Sequence, residues 1–229
     1  ENRVKKLMRE GKLALGTYVS FSDPQIVEII GLAGFDAAFI DIEHTAFDLP
    51  LIQQLIVAAD FVGITPMVRV AGTDPGFILR LLDMGAQGII IPHVVGIEGA
   101  KKAVKAVRYA PLGERGGAGG SRAARFGIVS LADHVRPLND EILLSVMTED
   151  AKGIADVPEI AALEGIDLVA LGPTDLSQTL GVTEPTDPRL RAEVEKIAAQ
   201  VKEAGNAKLQ IPMNHPAFPL AAQEMLDLG

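Results

Sequence analysis

The amino-acid sequence predicts an α/β protein in which parallel strands alternate with helices along the whole chain. Short runs of Val, Ile and Leu alternate with segments of helical periodicity, which is the pattern of strands buried on both faces of a sheet. A glycine recurs where a helix ends and the next apolar run begins, at Gly34, Gly85, Gly165 and Gly205, and it fits the left-handed cap of a helix. Seven strand–helix units are visible, a number that favours a TIM (β/α)8 barrel over an open doubly wound sheet.

The predicted elements follow one another in a regular order. The first helix is expected to have Asp23 as its cap and Pro24 in its first turn, a common pairing at helix N-termini. The predicted strands are Leu13–Ser20, Ala37–Glu43, Thr65–Ala71, Gly88–Val94, Ile142–Glu149, Asp167–Leu171 and Lys208–Met213. The predicted helices are Asp23–Ala33, Leu49–Phe61, one opened by Asp74-Pro75, Ile97–Arg108, Pro188–Ala204 and Phe218–Leu228.

The C-terminal residues resemble the joint that elsewhere precedes a strand. We therefore expect an eighth strand and helix beyond Gly229. Residues 1–229 are interpreted as a single barrel domain that is incomplete at its C-terminus.

Composition and charge exclude several classes of function. The chain has a formal charge of −9, which argues against a nucleic-acid partner because such binding depends on neutralising phosphates. It contains no cysteine, which excludes disulfides and a thiol nucleophile. No apolar run reaches the length of about 18 residues that a membrane span needs. Since no signal peptide is recognisable either, we expect a cytoplasmic protein without a membrane partner.

Two predicted strands end on a carboxylate and are followed by a helical pattern. Glu149 ends one of them, and Asp175 follows the next in the run Gly172-Pro173-Thr174-Asp175. Because the carboxyl ends of neighbouring parallel strands face one ligand crevice, both side chains are expected to point into the same pocket. Two hard oxygen ligands with open positions suit Mg²⁺ or Mn²⁺, with substrate oxygens and water completing the coordination.

Other strand ends also carry reactive side chains. The second strand leads into Asp41-Ile42-Glu43-His44, and the third ends near Arg69. His44 has the reference pKa of a general base, and Arg69 has the planar fork that clamps a carboxylate. Each residue also has a structural explanation as a helix cap or ion-pair partner, but their gathering at strand ends favours a site. His93 and His215 show no partner pattern and are interpreted as structural.

Residues 111–140 interrupt the alternation with a glycine-rich stretch that contains Arg115, Arg122 and Arg125. A loop of this length without structure of its own is usually functional or mobile. Two interpretations remain open: a flexible lid or subunit contact, and an arginine that reaches an anionic substrate.

Two kinds of barrel enzyme are disfavoured by what the strand ends lack. No predicted strand ends in lysine, which a Schiff-base aldolase requires. The seventh strand leads into Pro212-Met213-Asn214-His215-Pro216, with no glycine that would let the backbone approach a phosphate, so a phosphosugar isomerase is not expected.

The sequence resembles the HpcH/HpaI family of metal-dependent class II pyruvate aldolases over nearly its whole length. The segments that carry the resemblance are Asp41-Ile42-Glu43-His44, Arg69-Val70, Leu82-Asp83-Met84-Gly85-Ala86-Gln87, the run from Arg108 to Gly116, Glu149, and Gly172-Pro173-Thr174-Asp175-Leu176-Ser177. The resemblance implies a TIM barrel, often a hexamer (a trimer of dimers) that exchanges its last helix. It also implies a divalent ion, Mg²⁺, Mn²⁺ or Co²⁺, and reversible cleavage of 4-hydroxy-2-oxo acids to pyruvate, or a related 2-oxo acid, and an aldehyde.

The resemblance also implies roles for individual residues. By position, Glu149 and Asp175 bind the metal. His44 is the base and is tuned by Asp83, while Arg69 binds the substrate and stabilises the enolate.

The substrate is expected to bind at the last of these motifs. The resemblance implies contacts with Pro173, Thr174 and Asp175, with the substrate carboxylate on the backbone of Thr174. The family has glutamine two residues before the metal glutamate, where this chain has Met147. Since alternate residues of a strand share a face, Met147 and Glu149 are expected to point the same way. Either the substrate lacks a group that needs amide donors, or another residue or water supplies them. The hypothesis is a more apolar pocket that accepts a less polar aldehyde, and the alternative is that Met147 only fills space beneath the metal.

Two further functions compete with the aldolase. One is another enolpyruvate-type lyase on the same scaffold, such as an acyl-CoA lyase, which should need a basic groove that the acidic composition does not indicate. The other is a non-catalytic barrel that binds a 2-oxo acid.

Overall fold

The computed structural model describes residues 1–213, 215 and 221–229. It is an α/β fold in which the described strands are paired in parallel. The strands are β1 (Gly16–Val19), β2 (Ala37–Asp41), β3 (Thr65–Arg69), β4 (Gly88–Ile91), β5 (Leu143–Met147), β6 (Leu168–Ala170) and β7 (Lys208–Gln210). The helices are α1 (Arg3–Arg9), α2 (Pro24–Leu32), α3 (Leu49–Val62), α4 (Pro75–Asp83), α5 (Gly96–Val107), α6 (Leu131–Glu141), α7 (Ala151–Ala155), α8 (Val157–Ala162), α9 (Pro173–Thr179), α10 (Pro188–Ala204) and α11 (Ala222–Leu228), with a short 3-10 turn at Arg125–Gly127.

The predicted α/β class and the alternation of parallel strands with helices are confirmed, and the described residues contain seven strands. The closed eight-stranded barrel stays a prediction. A strand lies within each predicted strand segment, although it is shorter than predicted, as β1 and β7 show. Residues 218–220, which begin the last predicted helix, lie outside the described residues, and α11 covers the remainder.

The chain forms two compact units. Unit one comprises residues 1–90 and 105–143, and unit two comprises residues 91–104 and 144–229. In unit one the strands pair in the order β1-β2-β3-β4, and in unit two in the order β5-β6-β7. No helix in the described part of the chain is long and apolar enough to cross a membrane.

Helix boundaries follow the local chemistry that the sequence predicts. The carboxylate of Asp23 accepts a hydrogen bond from the N–H of Gln25, with Pro24 in the first turn of α2. The same capping occurs where Asp48 and Asp74 open α3 and α4. At the opposite ends, Gly34, Gly85, Gly165 and Gly205 all have positive φ angles, between 74° and 104°. These caps fix where each helix stops and therefore where the next strand starts.

The central strands are buried on both faces. All four residues of β4 and all five of β5 are buried, and Ile40 and Val68 of the neighbouring strands are fully inaccessible. Burying an aliphatic side chain of this size contributes about 1.5–3 kcal/mol. This core holds the strand ends rigidly, and the strand ends carry the reactive side chains.

The expectation that residues 111–140 lack structure is wrong for the last part of the segment, where α6 begins at Leu131. The hydroxyl of Ser130 accepts a hydrogen bond from the N–H of Asp133 at 3.2 Å and caps this helix. The Ser-x-x-Asp spacing is a capping signal that the sequence contains, but Pro137 and a mostly polar composition conceal the helix.

Two arginines of this segment, Arg115 and Arg122, have acidic partners on other elements of unit one. Arg115 Nη2 lies 3.3 Å from Asp83 Oδ1, and Arg122 Nη2 lies 2.7 Å from Asp60 Oδ2. The segment connects the end of a helix to the start of β5, so it lies at the edge where strands begin. In agreement, the N–H of Leu143 donates to the carbonyl of Gln87, just before β4. These arginines are therefore far from the strand ends of their own unit.

Candidate functional site

The first group of predicted site residues lies at the carboxyl ends of β2 and β3, in unit one. Arg69 donates from Nε and Nη2 to the two carboxylate oxygens of Asp41, at 2.9 and 2.7 Å. Its guanidinium carbon lies 4.5 Å from the centre of the Tyr18 ring, and Glu43 Oε2 is 3.4 Å from Nε. The bidentate pair and the stacked ring hold the guanidinium in one orientation.

Asp41 stays ionised in this arrangement. Burial acts to raise the pKa of Asp41, but the hydrogen bond and charge of Arg69 and the backbone N–H groups of His44 and Glu43 outweigh it and lower that pKa. The same backbone contacts, at 3.1 Å from Glu43 and 3.4 Å from His44, shape the turn after β2. Asp41 therefore orients both Arg69 and the turn that carries His44.

The imidazole of His44 projects from this turn. Its side chain is 67% exposed, and its Nε2 lies 3.6 Å from Oε2 of the mostly buried Glu43. The predicted base is thus accessible to a ligand and has a carboxylate neighbour within its own strand-end run.

Asp83 does not belong to this group. It is the last residue of α4, and four residues later the N–H of Gln87 donates to the carbonyl of Pro66 at the start of β3. Asp83 therefore lies at the edge where strands begin, whereas His44 follows the end of a strand. The described partner of the Asp83 carboxylate is Arg115, whose guanidinium stacks 4.4 Å from the centre of the Tyr109 ring.

The second group lies in unit two, around Glu149 and Asp175. Glu149 is 4% exposed, and its carboxyl shares a hydrogen bond with that of Asp175 in the first turn of α9. Burial, and then the hydrogen bond and charge of Asp175, raise the pKa of Glu149 to about 7. Two carboxyls that close together share a proton when no cation lies between them.

Small neighbours make room for the Glu149 carboxylate. A methyl group at Gly172 would lie 2.7 Å from Glu149 Oε2 and 3.4 Å from the Cε of Met147. Met147 and Glu149 therefore border the same space, as the alternation of β5 predicts. The hydroxyl of Thr179 donates to the backbone carbonyl of Glu149 at 2.6 Å and fixes the end of the strand.

His93 is a site neighbour that the sequence interpretation missed. Its N–H donates to Glu149 Oε1 at 3.4 Å, and its Nδ1 lies 3.9 Å from the same oxygen. The signal for it was present, since Pro92-His93 lies at the end of the predicted strand Gly88–Val94, as other site residues lie at strand ends. Thr179 gave no comparable signal, because it acts from the end of a helix.

The donor set fits a divalent cation with open coordination positions. Among the described residues, no group of three or more His, Asp or Glu side chains is arranged around one point as metal ligands. Glu149 and Asp175 would supply two carboxylate ligands, and Gly172, which has no side chain, leaves space beside Glu149 Oε2. Two hard oxygen ligands with the remainder open to water and substrate match the preference of Mg²⁺ and Mn²⁺.

The fold and the strand-end clusters define an α/β enzyme whose reactive groups lie at the carboxyl ends of parallel strands. The chain belongs to the HpcH/HpaI aldolase/citrate lyase family, whose family model matches residues 14–217. The family description and the two curated relatives named below are those of aldolases and lyases, so the protein is a carbon–carbon lyase.

Individual relatives cover most of the chain. It is 36% identical to a hydroxypyruvate/pyruvate aldolase of Pseudomonas aeruginosa over 90% of its length and 77% of the relative. It is 34% identical to a 4-hydroxy-2-oxo-heptane-1,7-dioate aldolase of Shigella sonnei, with 90% and 79% covered. Among solved structures, the citrate synthase SbnG matches with a TM-score of 0.83 and 33% identity over 93% of this chain and 82% of that one.

Proposed function

We propose that the protein is a divalent-metal-dependent class II aldolase that reversibly cleaves 4-hydroxy-2-oxo acids to pyruvate, or a related 2-oxo acid, and an aldehyde. The observation that carries this proposal is the pair formed by the buried Glu149 and the half-buried Asp175. A buried carboxyl beside a second one is costly unless it holds a proton or a cation. The aldolase names of relatives at about one-third identity support the same reaction class.

The chain's own groups provide for binding of the 2-oxo acid in this proposal. Glu149 and Asp175 would hold Mg²⁺, Mn²⁺ or Co²⁺, whose positive charge would stabilise the enolate formed when the C3–C4 bond breaks. Thr174 lies in the first turn of α9, where backbone N–H groups lack intrahelical acceptors and suit a substrate carboxylate. Pro173 begins that turn, and its ring restricts the backbone there.

His44 and Arg69 would carry the proton and charge movements. His44 accepts the proton of the C4 hydroxyl as the C3–C4 electrons move toward C2, and the aldehyde leaves. Arg69 donates to the oxygen on which negative charge develops. C3 then takes up a proton to give pyruvate. These two roles are supported by the position of both residues at the carboxyl ends of strands and by the family resemblance.

Asp83 can tune His44 in this fold only if the two residues belong to different copies of the chain. Because α4 carries Asp83 to the edge where strands begin, Asp83 would reach His44 from a second copy of the chain. The hexameric assembly implied by the resemblance would allow this. Together with the complete eight-stranded barrel and the cytoplasmic location, the hexamer is part of the proposal.

A second candidate function is favoured by one comparison. The citrate synthase SbnG, at 33% identity, is named for a reaction that also forms a carbon–carbon bond. A citrate-forming or citrate-cleaving activity would use the same cation site with a different partner for the enolate. An acyl-CoA lyase and a non-catalytic 2-oxo-acid-binding barrel are the remaining alternatives.

A substrate panel tests the proposal and separates the candidates. The protein is stripped of metal by chelation, reloaded with Mg²⁺ or Mn²⁺, and assayed with 4-hydroxy-2-oxo acids, citrate and an acyl-CoA substrate. We expect metal-dependent pyruvate release from the 4-hydroxy-2-oxo acids. Cleavage of citrate alone would favour the second candidate, and pyruvate binding without turnover of any substrate would indicate a binding protein.

A further inference from the structure

His93 is a strand-end side chain that the mechanism above does not use. Its backbone is tied to the site, since the N–H donates to Glu149 Oε1 at 3.4 Å. Its side chain is 61% exposed, whereas that of Glu149 is 4% exposed. The imidazole therefore lies beside the buried carboxylate, and most of its surface is exposed.

The backbone at His93 adopts a conformation that L-residues rarely use. Its φ is +52°, and among the described residues the other non-glycine positions with positive φ are Arg125 and Phe126. Such a conformation persists where surrounding contacts determine it, and it is frequent at ligand sites. The N–H of the next residue, Val94, donates a hydrogen bond to the carbonyl of Met147 at the end of β5, at 3.1 Å. The turn thereby directs both the N–H and the imidazole of His93 toward the end of β5.

The strand order within unit two defines which part of a substrate His93 meets. Val94 pairs with Met147, and the N–H of Thr148 pairs with the carbonyl of Ala170. Within unit two, Glu149 is thus flanked by His93 on one side and by Asp175 on the other, β6 side. In the proposed function the substrate carboxylate lies in the first turn of α9, on the β6 side of Glu149, and we place the aldehyde-derived part on the opposite side, beside His93.

We propose that His93 is a specificity-determining residue that hydrogen-bonds an oxygen on the aldehyde-derived part of the substrate. This inference rests on the aldolase function proposed above. Met147, which borders the same space, offers only a weak sulfur acceptor. The imidazole of His93 has a ring N–H and a ring nitrogen acceptor, so it supplies the polar contact that Met147 lacks. His93 therefore favours hydroxyaldehydes over unsubstituted aldehydes as the substrates that the enolate attacks.

Two substitutions separate the side chain from the backbone. His93→Gly removes the imidazole and accepts a positive φ without strain. His93→Asn keeps a donor and an acceptor and tolerates the left-handed region. Phe126→Gly is the matched control, because it relieves a positive φ in unit one at a side chain that is 73% exposed.

The assay is the addition of pyruvate to glycolaldehyde and to acetaldehyde, which differ by one hydroxyl, with the Mn²⁺-loaded protein. We expect His93→Gly to lower kcat/KM for glycolaldehyde by about tenfold or more, the effect of one lost hydrogen bond to a substrate. The value for acetaldehyde should change by less than about threefold. His93→Asn should retain part of the preference, and Phe126→Gly should leave it unchanged. Electron paramagnetic resonance should show unaltered Mn²⁺ and pyruvate affinities in all three variants.

Each contrary result has a distinct meaning. An equal loss for both aldehydes with weakened Mn²⁺ binding would show that His93 only positions Glu149, and unchanged rates for both would show no role. Either result in an active wild-type enzyme overturns this inference alone. No addition to any aldehyde by the wild type would overturn the proposed function, and this inference with it.

Discussion

Mn²⁺ binding should release about one proton per ion at slightly acidic pH, because Glu149 holds a proton in the metal-free protein. Burial, and then the contact with Asp175, raise the pKa of Glu149 from 4.5 to about 7. A carboxyl must lose its proton to become a ligand, so the affinity depends on the ionised fraction. At pH 5.5 that fraction is only about 3%, and the dissociation constant should be about thirtyfold weaker than at pH 8.5. A carboxylate with an ordinary pKa would give almost no change over this range.

Calorimetry in two buffers of different ionisation enthalpy measures the protons released. We expect about 0.9 proton per ion at pH 6 and almost none at pH 8.5. Glu141→Gln is the control, because this carboxylate pairs with Asn2 and Arg9 in unit one and should not affect the release. An affinity that is independent of pH between 5.5 and 8.5 would refute the assignment of a protonated Glu149.

The same pKa determines how the stability of the metal-free protein depends on pH. Because the pKa of Glu149 is raised in the folded state, its contribution is fully present below about pH 4.5 and is lost as pH rises through about 7. The shift corresponds to at most about 3 kcal/mol. Denaturant unfolding at pH 5 and pH 8 should show this loss in the wild type. Glu149→Gln, which imitates the protonated carboxyl, should remove it.

Three further substitutions test the metal site, the proposed base and the Asp83–Arg115 ion pair separately. Gly172→Ala should weaken Mn²⁺ binding by at least about tenfold, measured by titration, because its Cβ would crowd the Glu149 carboxylate; unchanged affinity would contradict this geometry. His44→Ala should lower kcat by about 10²–10⁴-fold, the span for a positioned base, while Mn²⁺ affinity stays constant; loss of the metal would mean that His44 is a ligand. Asp83→Asn should lower the free energy of unfolding by about 1–3 kcal/mol because it leaves the buried Arg115 without its carboxylate, and adding Arg115→Met should restore part of it; a neutral Asp83→Asn would show that the pair contributes nothing.

The fold class was predictable because buried parallel strands have a simple composition. Apolar runs such as the Ile-rich β4 and the Leu-Leu start of β5 locate the buried strands, but the predicted segments extend past the strand ends. The apolar Ile42, for example, follows β2 without belonging to it. Strand ends are set by the neighbouring strand, which local sequence does not contain. The helix α6 was missed because its polar surface and Pro137 hide the helical periodicity. Only its Ser130 cap indicates a helix.

The site was partly predictable from a single geometric rule. Reactive residues at strand ends gather at one edge of their sheet, and the contacts between Glu149 and Asp175 and between Asp41 and Arg69 follow from it. Asp83 ends a helix, so the same rule places it at the other edge, away from His44. His93 was set aside as a lone histidine, because its contact with Glu149 depends on a left-handed backbone that its sequence does not announce.

Pyruvate release from a 4-hydroxy-2-oxo acid, by the wild type and by the Glu149→Ala, Asp175→Ala double variant, tests the central claim most directly. Both proteins are stripped of metal, shown by circular dichroism to be folded, and assayed with and without added Mn²⁺. The account predicts activity only in the wild type with Mn²⁺, and no Mn²⁺ binding by the double variant. Equal pyruvate release by the metal-free double variant would contradict it.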